Sequence, residues 1–225
     1  GDKLSMIAEK NKVNLEFEAA VCGGVPIIRS IKEGLIANKI NRIYGILNGT
    51  SNYVLSSMEI HKTSFKETIK KAIKLGYAES DPSSDINGDD VASKVKILSC
   101  LSFNSFINKS IHVEGIKDVD EEDISNANKL GYKLKLMGFS EILNNKIFQR
   151  VHPTLVKKTS YIAGVNGVLN AVIVDGYPVG QNLIQGEGAG PEATTSALVS
   201  DISSILRGNV KFPFSISNKE RKKLR

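Results

Sequence analysis

The stretch from Val165 to Val174 constrains the fold more than any other part of the chain. A short apolar run of this kind is typical of a strand that is buried within a sheet. We therefore expect a β-sheet in the core of this protein. The apolar residues that carry the pattern are Val168, Leu169, Ala171, Val172 and Ile173.

Helical patterns lie on both sides of this strand. Ser64-Phe65-Lys66-Glu67 is a capping box, and it predicts a helix that stops at Gly76. A second helix is expected from about Asp89. A third is predicted from Glu121 to about Met137 and a fourth from about Glu192 to Leu206, because apolar residues recur there at helical spacing.

The N-terminal segment predicts the end of a helix over Lys3 to Lys12, and then a strand in which Leu15, Phe17 and Ala19 alternate with polar neighbours. The glycines and proline of Val21 to Pro26 predict a turn. This order is typical of the end of an α/β domain, so we expect further sequence upstream.

Phe139 to Val151 predicts two short strands joined by a tight turn at Asn144-Asn145. Strands and helices therefore alternate irregularly along the chain. The expected fold class is α+β, with a mixed or antiparallel sheet faced by helices.

Composition excludes several classes of protein. The 225 residues hold no apolar run long enough to span a membrane and begin without a signal-peptide pattern, so the cytoplasm is the expected location. The two cysteines and three histidines lack the spacing of a disulfide framework or a zinc site, and buried free thiols are expected. The net charge of +6 falls to +2 without Lys219 to Arg225, which favours a solvated basic tail over a nucleic-acid-binding face.

An acidic segment, Gly76 to Lys94, carries the densest set of chemically active side chains. Asp90 and Lys94 stand four residues apart, so they project from one side of the predicted helix. If they face a cleft, they offer an acceptor and a proton donor on one support; a solvated surface pair is the alternative, and spacing alone does not decide. Its five carboxylates are Glu79, Asp81, Asp85, Asp89 and Asp90.

Two glycine-containing segments are weaker signals. Asn48-Gly49 followed by Thr50 and Ser51 is typical of a turn and a helix capped by Thr50 or Ser51, and the free amides of such a helix can also hold a carboxylate. Gly186 to Gly190 precedes a predicted helix but lacks the lysine of a P-loop and the spacing of a dinucleotide fingerprint.

Taken in order, five segments resemble the homoserine dehydrogenase family. The resemblance runs from about Val13 to Leu206, and the GYAE-DP-D-NG-D-K pattern is its most specific part. It implies a part in the NADPH- or NADH-dependent reduction of L-aspartate 4-semialdehyde to L-homoserine, a step towards threonine, methionine and isoleucine. The segments are EAAVCGGVPIIRSIKEGL, INRIYGILNGTSNYVL, LGYAESDPSSDINGDDVASK, RVHPTLV and GEGAGPEATTSALVSDI.

The resemblance also implies roles for particular residues. Lys94 would be catalytic, close to the reacting oxygen, and Gly188 would contact the NADP or NAD cofactor, with Gly190 as the alternative. Glu18 and the carbonyls of Val21, Gly23 and Val25 would bind a monovalent cation, sodium or potassium. The residues that would line the homoserine site are Gly49, Thr50, Tyr77, Glu79, Asp85 and Asp90.

The domain boundaries follow from the same resemblance. Residues 1–25 would be the end of a nucleotide-binding domain with the cation turn, 26–208 a catalytic and dimerisation domain, and 209–225 a basic linker or tail. The family's Gly-rich fingerprint and T-x-N-K segment have no counterpart in this sequence, so a further lysine could share the role of Lys94. We expect a homodimer, a small-molecule substrate, and neither nucleic-acid nor membrane binding. A non-catalytic dimerisation or interaction module derived from the family is the alternative.

Overall fold

The computed structural model describes residues 1–105, 110–208, 212–217 and 220. Six strands form one sheet, and eight α-helical segments surround it in the described residues. The helices are α1 Asp2–Asn11, α2 Ile27–Arg29, α3 Gly49–His61, α4 Phe65–Lys74, α5 Ser83–Ile86, α6 Asp89–Phe103, α7 Glu121–Lys129 and α8 Pro191–Leu206. The strands are β1 Lys39–Ile46, β2 His112–Val113, β3 Tyr132–Leu143, β4 Lys146–Lys157, β5 Leu169–Tyr177 and β6 Gly180–Glu187.

The sheet has the strand order β2-β4-β3-β1-β5-β6. Only the short β2 runs parallel to its neighbour among the described strand pairs, and the others are antiparallel. The expected α+β class, a mixed sheet covered by helices, is therefore confirmed. Because β1 lies at the centre and leads directly into α3, the chain leaves the middle of the sheet at Leu47 and Asn48.

Helices α3 and α6 pack on one face of the sheet. Gly138 of β3 allows this approach, because a side chain there would collide with Val91 and Val95 of α6. The core between sheet and helices holds residues such as Ile43, Val54 and Leu98, all almost fully buried. Burying such side chains contributes roughly 1.5–3 kcal/mol each, so this layer holds α3 and α6 firmly against the sheet.

Several local predictions are confirmed. The capping box joins Ser64 and Glu67 at the start of α4, and Gly76 adopts a left-handed φ of 76° just after its end. Helix α6 begins at Asp89. Asn144 and Asn145 both have positive φ values and form the turn between β3 and β4, although each of these strands has 12 residues and is longer than expected.

The predicted helix from Glu121 to Met137 is wrong beyond Lys129. Helix α7 ends there, and Gly131, with φ 84°, turns the chain into β3. Lys133 and Lys135 alternate with leucines in this segment, which is the period of a strand. The apolar residues also happen to fit helical spacing, which misled the prediction.

Two other strand predictions need correction. Residues 13–17 form no strand, and Glu18–Ala20 is a 3-10 turn, because the Glu18 carboxylate accepts hydrogen bonds from the amides of Ile28 and Arg29 and draws the chain towards α2. The apolar run does form a strand, but β5 begins at Leu169 rather than Val165.

The predicted tail is described only in part, and residues 209–211, 218–219 and 221–225 lie outside the described residues. Within it, Phe214 is buried, and its ring centroid lies 5.2 Å from that of Phe17. Cys22 and Cys100 are buried thiols that form no disulfide, as expected. None of the described helices is long and apolar enough to cross a membrane.

Candidate active site

Asp90 and Lys94 stand on the first turns of α6, four residues apart. The Lys94 Nζ lies 2.7 Å from the Asp90 Oδ2, and the two side chains are only 17% and 29% exposed. A pair on a fully solvated surface is held weakly and contributes about 0–1 kcal/mol. This pair is instead half-buried and held by further partners, so it belongs to a preorganised candidate site.

Asn48 links α3 to the acidic segment. Its side-chain oxygen accepts a hydrogen bond from the Ser51 amide at 2.8 Å, so Asn48 is the N-cap of α3. The expectation that Thr50 or Ser51 caps this helix is therefore wrong. The cap lies two residues before Thr50, because Asn48 has the extended backbone that an N-cap requires.

The side-chain nitrogen of Asn48 contacts the acidic segment. It donates to the Asp85 Oδ1 at 2.7 Å and to the Asp90 Oδ2 at 2.8 Å. Two carboxylates from different helices thus meet at one amide group. This bridge fixes Asp85 and Asp90 relative to the start of α3, and Asn48 itself is only 5% exposed.

The backbone of Leu47 holds Lys94 in place. The Lys94 Nζ donates to the Leu47 carbonyl at 2.9 Å, in addition to its contact with Asp90. An ammonium has three N–H donors, so these two contacts leave one for a ligand. The cluster of Leu47, Asn48, Asp85, Asp90 and Lys94 is called the amide-bridged cluster below.

Cys22 lies behind this cluster. Its Sγ is 3.9 Å from the Leu47 carbonyl oxygen. The same sulfur accepts a hydrogen bond from the Asn170 side-chain nitrogen at 3.5 Å. Burial raises the pKa of the Cys22 thiol to about 11. The thiol therefore stays protonated at neutral pH and packs as an unreactive side chain.

The other predicted substrate residues lie around the start of α3. Thr50 Oγ1 donates to the Tyr77 carbonyl at 2.8 Å, which joins α3 to the acidic segment. Gly49 packs so closely against residue 168 that a Cβ would lie 2.8 Å from the Val168 carbonyl oxygen. Glu79 is exposed and forms no ion pair within the described part of the chain, so it is not tied to the amide-bridged cluster.

Gly188 lies beside Asn170. A side chain at Gly188 would overlap the amide of Asn170, and one at Gly23 would come within 2.6 Å of the Gly188 carbonyl oxygen. Asn170 is fully buried, and its side-chain oxygen has no hydrogen-bond partner among the described residues. Gly190 has open space around it and a φ of 109°.

The predicted cation ligands lie on a sharply turned loop. Cys22 and Gly23 have φ values of 58° and 47°, which bend the chain between the carbonyls of Val21 and Val25. Val25 O accepts the Ile27 amide at 2.7 Å. Desolvation raises the pKa of Glu18, despite hydrogen bonds from two backbone amides. A carboxylate and carbonyls are the oxygen ligands that a hard cation prefers, and a cation here would lower that pKa.

The predicted site residues thus divide into groups. Asp85, Asp90 and Lys94 converge, whereas Glu79 and Gly188 stand apart from them in contacts. Asn48, the Leu47 carbonyl and Asn170 were not predicted from the sequence as parts of the site. An asparagine directly before a helix start is a strong N-cap signal that could have identified Asn48; no local pattern marks the other two.

Comparisons with known proteins agree with this geometry. Residues 26–203 match the family model for homoserine dehydrogenase. A homoserine dehydrogenase of Neisseria gonorrhoeae is 46% identical over 208 residues, which cover 92% of this chain and 48% of that protein. The crystal structure of a homoserine dehydrogenase from Thiobacillus denitrificans superimposes with a TM-score of 0.91 at 41% identity, over 97% of this chain and 53% of the other.

A hyperthermophilic archaeal homoserine dehydrogenase mutant in complex with NADPH has a TM-score of 0.76 at 28% identity, with 92% of this chain and 60% of that chain covered. The chain therefore spans about half the length of the curated relatives that it matches. The family model covers most of the 225 residues, and the six-stranded sheet and the amide-bridged cluster lie within the matched region. This chain belongs to the homoserine dehydrogenase family.

Proposed function

We propose that this chain is the substrate-binding part of an enzyme that reduces L-aspartate 4-semialdehyde to L-homoserine with NADPH or NADH. The amide-bridged cluster is the observation that carries the proposal. It presents a lysine N–H and two carboxylates at the start of a helix, within a chain that belongs to the family. The product would serve threonine, methionine and isoleucine synthesis.

Lys94 is the proton donor in this proposal. Reduction of an aldehyde develops negative charge on its oxygen, and a positioned ammonium stabilises that charge and supplies the proton. Lys94 is held by the Leu47 carbonyl at 2.9 Å and by Asp90 at 2.7 Å, so its remaining N–H has a defined direction. This fixed direction is what an efficient proton transfer requires.

The polar ends of the substrate would bind on either side of Lys94. Helix α3 has 13 residues, and its first amides, at Gly49 and Thr50, suit the α-carboxylate. Glu79, Asp85 and Asp90 suit the α-ammonium, and Tyr77 lines the same edge through its contact with Thr50. Glu79 is exposed in this structure, so it would gain its partner when the substrate binds.

Gly188 would contact the nicotinamide cofactor, which supplies the hydride when bound. The missing side chain at this position makes room for the Asn170 amide, which packs against the Gly188 backbone. The orphaned, buried oxygen of Asn170 beside it is compatible with a polar ligand group near this loop. Glu18 and the carbonyls of Val21, Gly23 and Val25 would hold a sodium or potassium ion, which would fix the loop that packs against Gly188.

A nucleotide-binding domain would cover the outer face of α8. That face carries an apolar stripe at helical spacing, and contiguous exposed apolar patches commonly mark interaction surfaces. We therefore expect residues 1–225 alone to have neither activity nor nicotinamide affinity. The most exposed members of the stripe are Leu198, Val199, Ile202 and Leu206, at 51%, 54%, 56% and 80%.

The second face of the sheet would form a homodimer. Tyr44 and Phe139 stack there with centroids 5.8 Å apart, and Tyr161 beside them is 87% exposed. An isologous contact between two copies would bury these rings. Dimeric mass by sedimentation supports this assembly, and a folded monomer at micromolar concentration contradicts it. The two buried cysteines, which form no disulfide, suit the reducing cytoplasm.

The test of the proposed function uses the full-length protein that contains these residues. Homoserine-dependent reduction of NADP or NAD is expected for it and not for residues 1–225 alone. A folded full-length protein without this activity, with either cofactor and in the presence of sodium or potassium, would instead support a non-catalytic dimerisation module.

A further inference from the structure

Lys135 is a buried lysine that the proposed reaction does not use. It lies on β3, three residues before Gly138, where the pairing of this strand with β1 ends. Its side chain fills the space below α3 where β1 has ended, and only 1% of it is exposed. Lysine is almost never buried this far without a specific reason, because desolvating an ammonium is costly.

The Lys135 ammonium sits in a cage of neutral oxygens. The Nζ donates to the Val165 carbonyl at 2.6 Å, to the side-chain oxygens of Asn52 and Asn166 at 3.0 Å each, and to Ser56 Oγ at 3.4 Å. Asn52 and Ser56 belong to α3, whereas Val165 and Asn166 belong to the segment before β5. One cation therefore joins two parts of the chain that are far apart in sequence.

Asn52 makes this connection rigid. Its amide oxygen faces Lys135, and its amide nitrogen donates to the carbonyls of Val165 and Leu169 at 3.2 and 3.0 Å. Residues 165–169 are thus held at both ends by the first turns of α3. Between these ends, the Val168 carbonyl packs directly against Gly49. The position of Gly49 therefore depends on a segment that Lys135 and Asn52 hold.

The charged groups near Lys135 are few. The pKa of Lys135 is lowered to about 8, mainly by burial and also by the charge of Lys133 on the same strand, while Glu59 on α3 acts in the opposite direction. Lys133 and Glu59 pair with each other at 3.5 Å, and neither hydrogen-bonds the cage. A neutral amine has only two N–H donors for four oxygens, so loss of the proton removes a contact and places a lone pair among acceptors.

We propose that Lys135 is a positioning residue for the substrate site: its ammonium holds the first turns of α3 against residues 165–169, and so fixes the amides at Gly49 and Thr50 that receive the substrate carboxylate. The inference rests on the proposed function. Lys135 touches neither substrate nor cofactor in this arrangement, and it acts through Asn52 and Val168.

The first experiment measures steady-state kinetics of the full-length enzyme at neutral pH. Lys135→Met should raise the KM for homoserine about tenfold while changing kcat less than about threefold, because the amides of α3 hold the carboxylate in both ground and transition states. The KM for the nicotinamide cofactor should not change. Lys133→Met is the matched control, since Lys133 lies on the same strand and contacts the same helix outside the cage.

The second experiment uses the pH profile and does not require a change at Lys135. The KM for homoserine should rise as pH passes through about 8. Lys133→Met removes a positive charge and should move this rise to higher pH, whereas Glu59→Gln should move it to lower pH. Titration of the substrate predicts no such pair of opposite shifts.

Opposite shifts in the two variants support the role of Lys135, even where Lys135→Met fails to fold. A rise that stays at the same pH in both variants overturns it. A folded and active Lys135→Met enzyme with an unchanged KM also overturns it, and leaves the proposed function intact. A folded wild-type enzyme without homoserine turnover overturns the proposed function itself.

Discussion

Lys94 and Lys135 are two lysines near α3 that differ in their exposure and in the groups that hold them. Lys94 contacts the chain just before the helix, is 17% exposed and has a carboxylate at 2.7 Å. Lys135 contacts Asn52 and Ser56 in the first turns of α3, is 1% exposed and donates its hydrogen bonds to neutral oxygens. The difference shows that the environment of a lysine side chain decides which role it can have. An accessible, ion-paired ammonium can exchange a proton with a ligand, and an enclosed one can only hold its surroundings.

The largest expected effect separates chemistry from position at Lys94. Lys94→Ala in the full-length enzyme should lower kcat by roughly 10²–10⁴ with little change in cofactor affinity, because the proton donor is lost in the transition state. Lys96→Ala is the matched control, since Lys96 is exposed on the same helix. Normal turnover in Lys94→Ala would remove Lys94 from the mechanism, and leave an additional lysine as the proton donor.

The second prediction concerns stability at alkaline pH. The folded-state pKa of Lys135 is about 8 and lies below its unfolded value, so the penalty for burying the charge is fully present below pH 8 and is relieved as pH rises towards 10. The free energy of unfolding should gain about 2–3 kcal/mol from this group over that range. Urea denaturation of wild type and Lys135→Met checks it. An equal pH dependence in both proteins contradicts the prediction.

Stability and substrate binding therefore respond to Lys135 with opposite signs. Deprotonation relieves the cost of burial, but it loosens the hold on α3. A protein that becomes more stable between pH 8 and 10 while its KM rises would distinguish this lysine from an ordinary structural contact.

The third prediction tests the bridge made by Asn48. Asn48→Ser keeps an N-cap oxygen but cannot reach both carboxylates, and Asn48→Asp keeps the cap and adds a negative charge beside Asp85 and Asp90. The free energy of unfolding should fall by about 1–2 kcal/mol in the serine variant and further in the aspartate variant. Chemical denaturation at neutral pH measures both. A more stable aspartate variant would show that repulsion among these carboxylates is unimportant.

The smallest expected effect is at Glu79. If its carboxylate binds the substrate ammonium in both ground and transition states, Glu79→Gln should raise the KM for homoserine about tenfold and change kcat less. Asp81→Asn is the matched control, because Asp81 is an exposed carboxylate in the same loop, and its hydrogen bonds within the described residues are with Ser83. Equal kinetics for the two variants would exclude Glu79 from the site.

Local pairs in the sequence were sufficient to predict several features. Ser64 with Glu67, Asp90 with Lys94, and the Asn144-Asn145 turn are each formed by residues at most four positions apart. Their geometry follows from helix and turn periodicity whatever surrounds them. The resemblance to a family added the roles of residues, which local physics does not provide.

The tertiary structure decided the contacts that cross the fold. Asn48 meets Asp85 and Asp90 at separations of 37 and 42 residues, and Lys135 meets Val165 at a separation of 30. Residues 130–137 fit both a helix and a strand, and pairing with β4 selected the strand. Periodicity acts over a few residues, whereas burial and long-range hydrogen bonds depend on which distant segments the sheet brings together. The sequence alone therefore determined that Asp90 and Lys94 share a helix face, and only the packing of α3, α6 and the sheet made them part of a site.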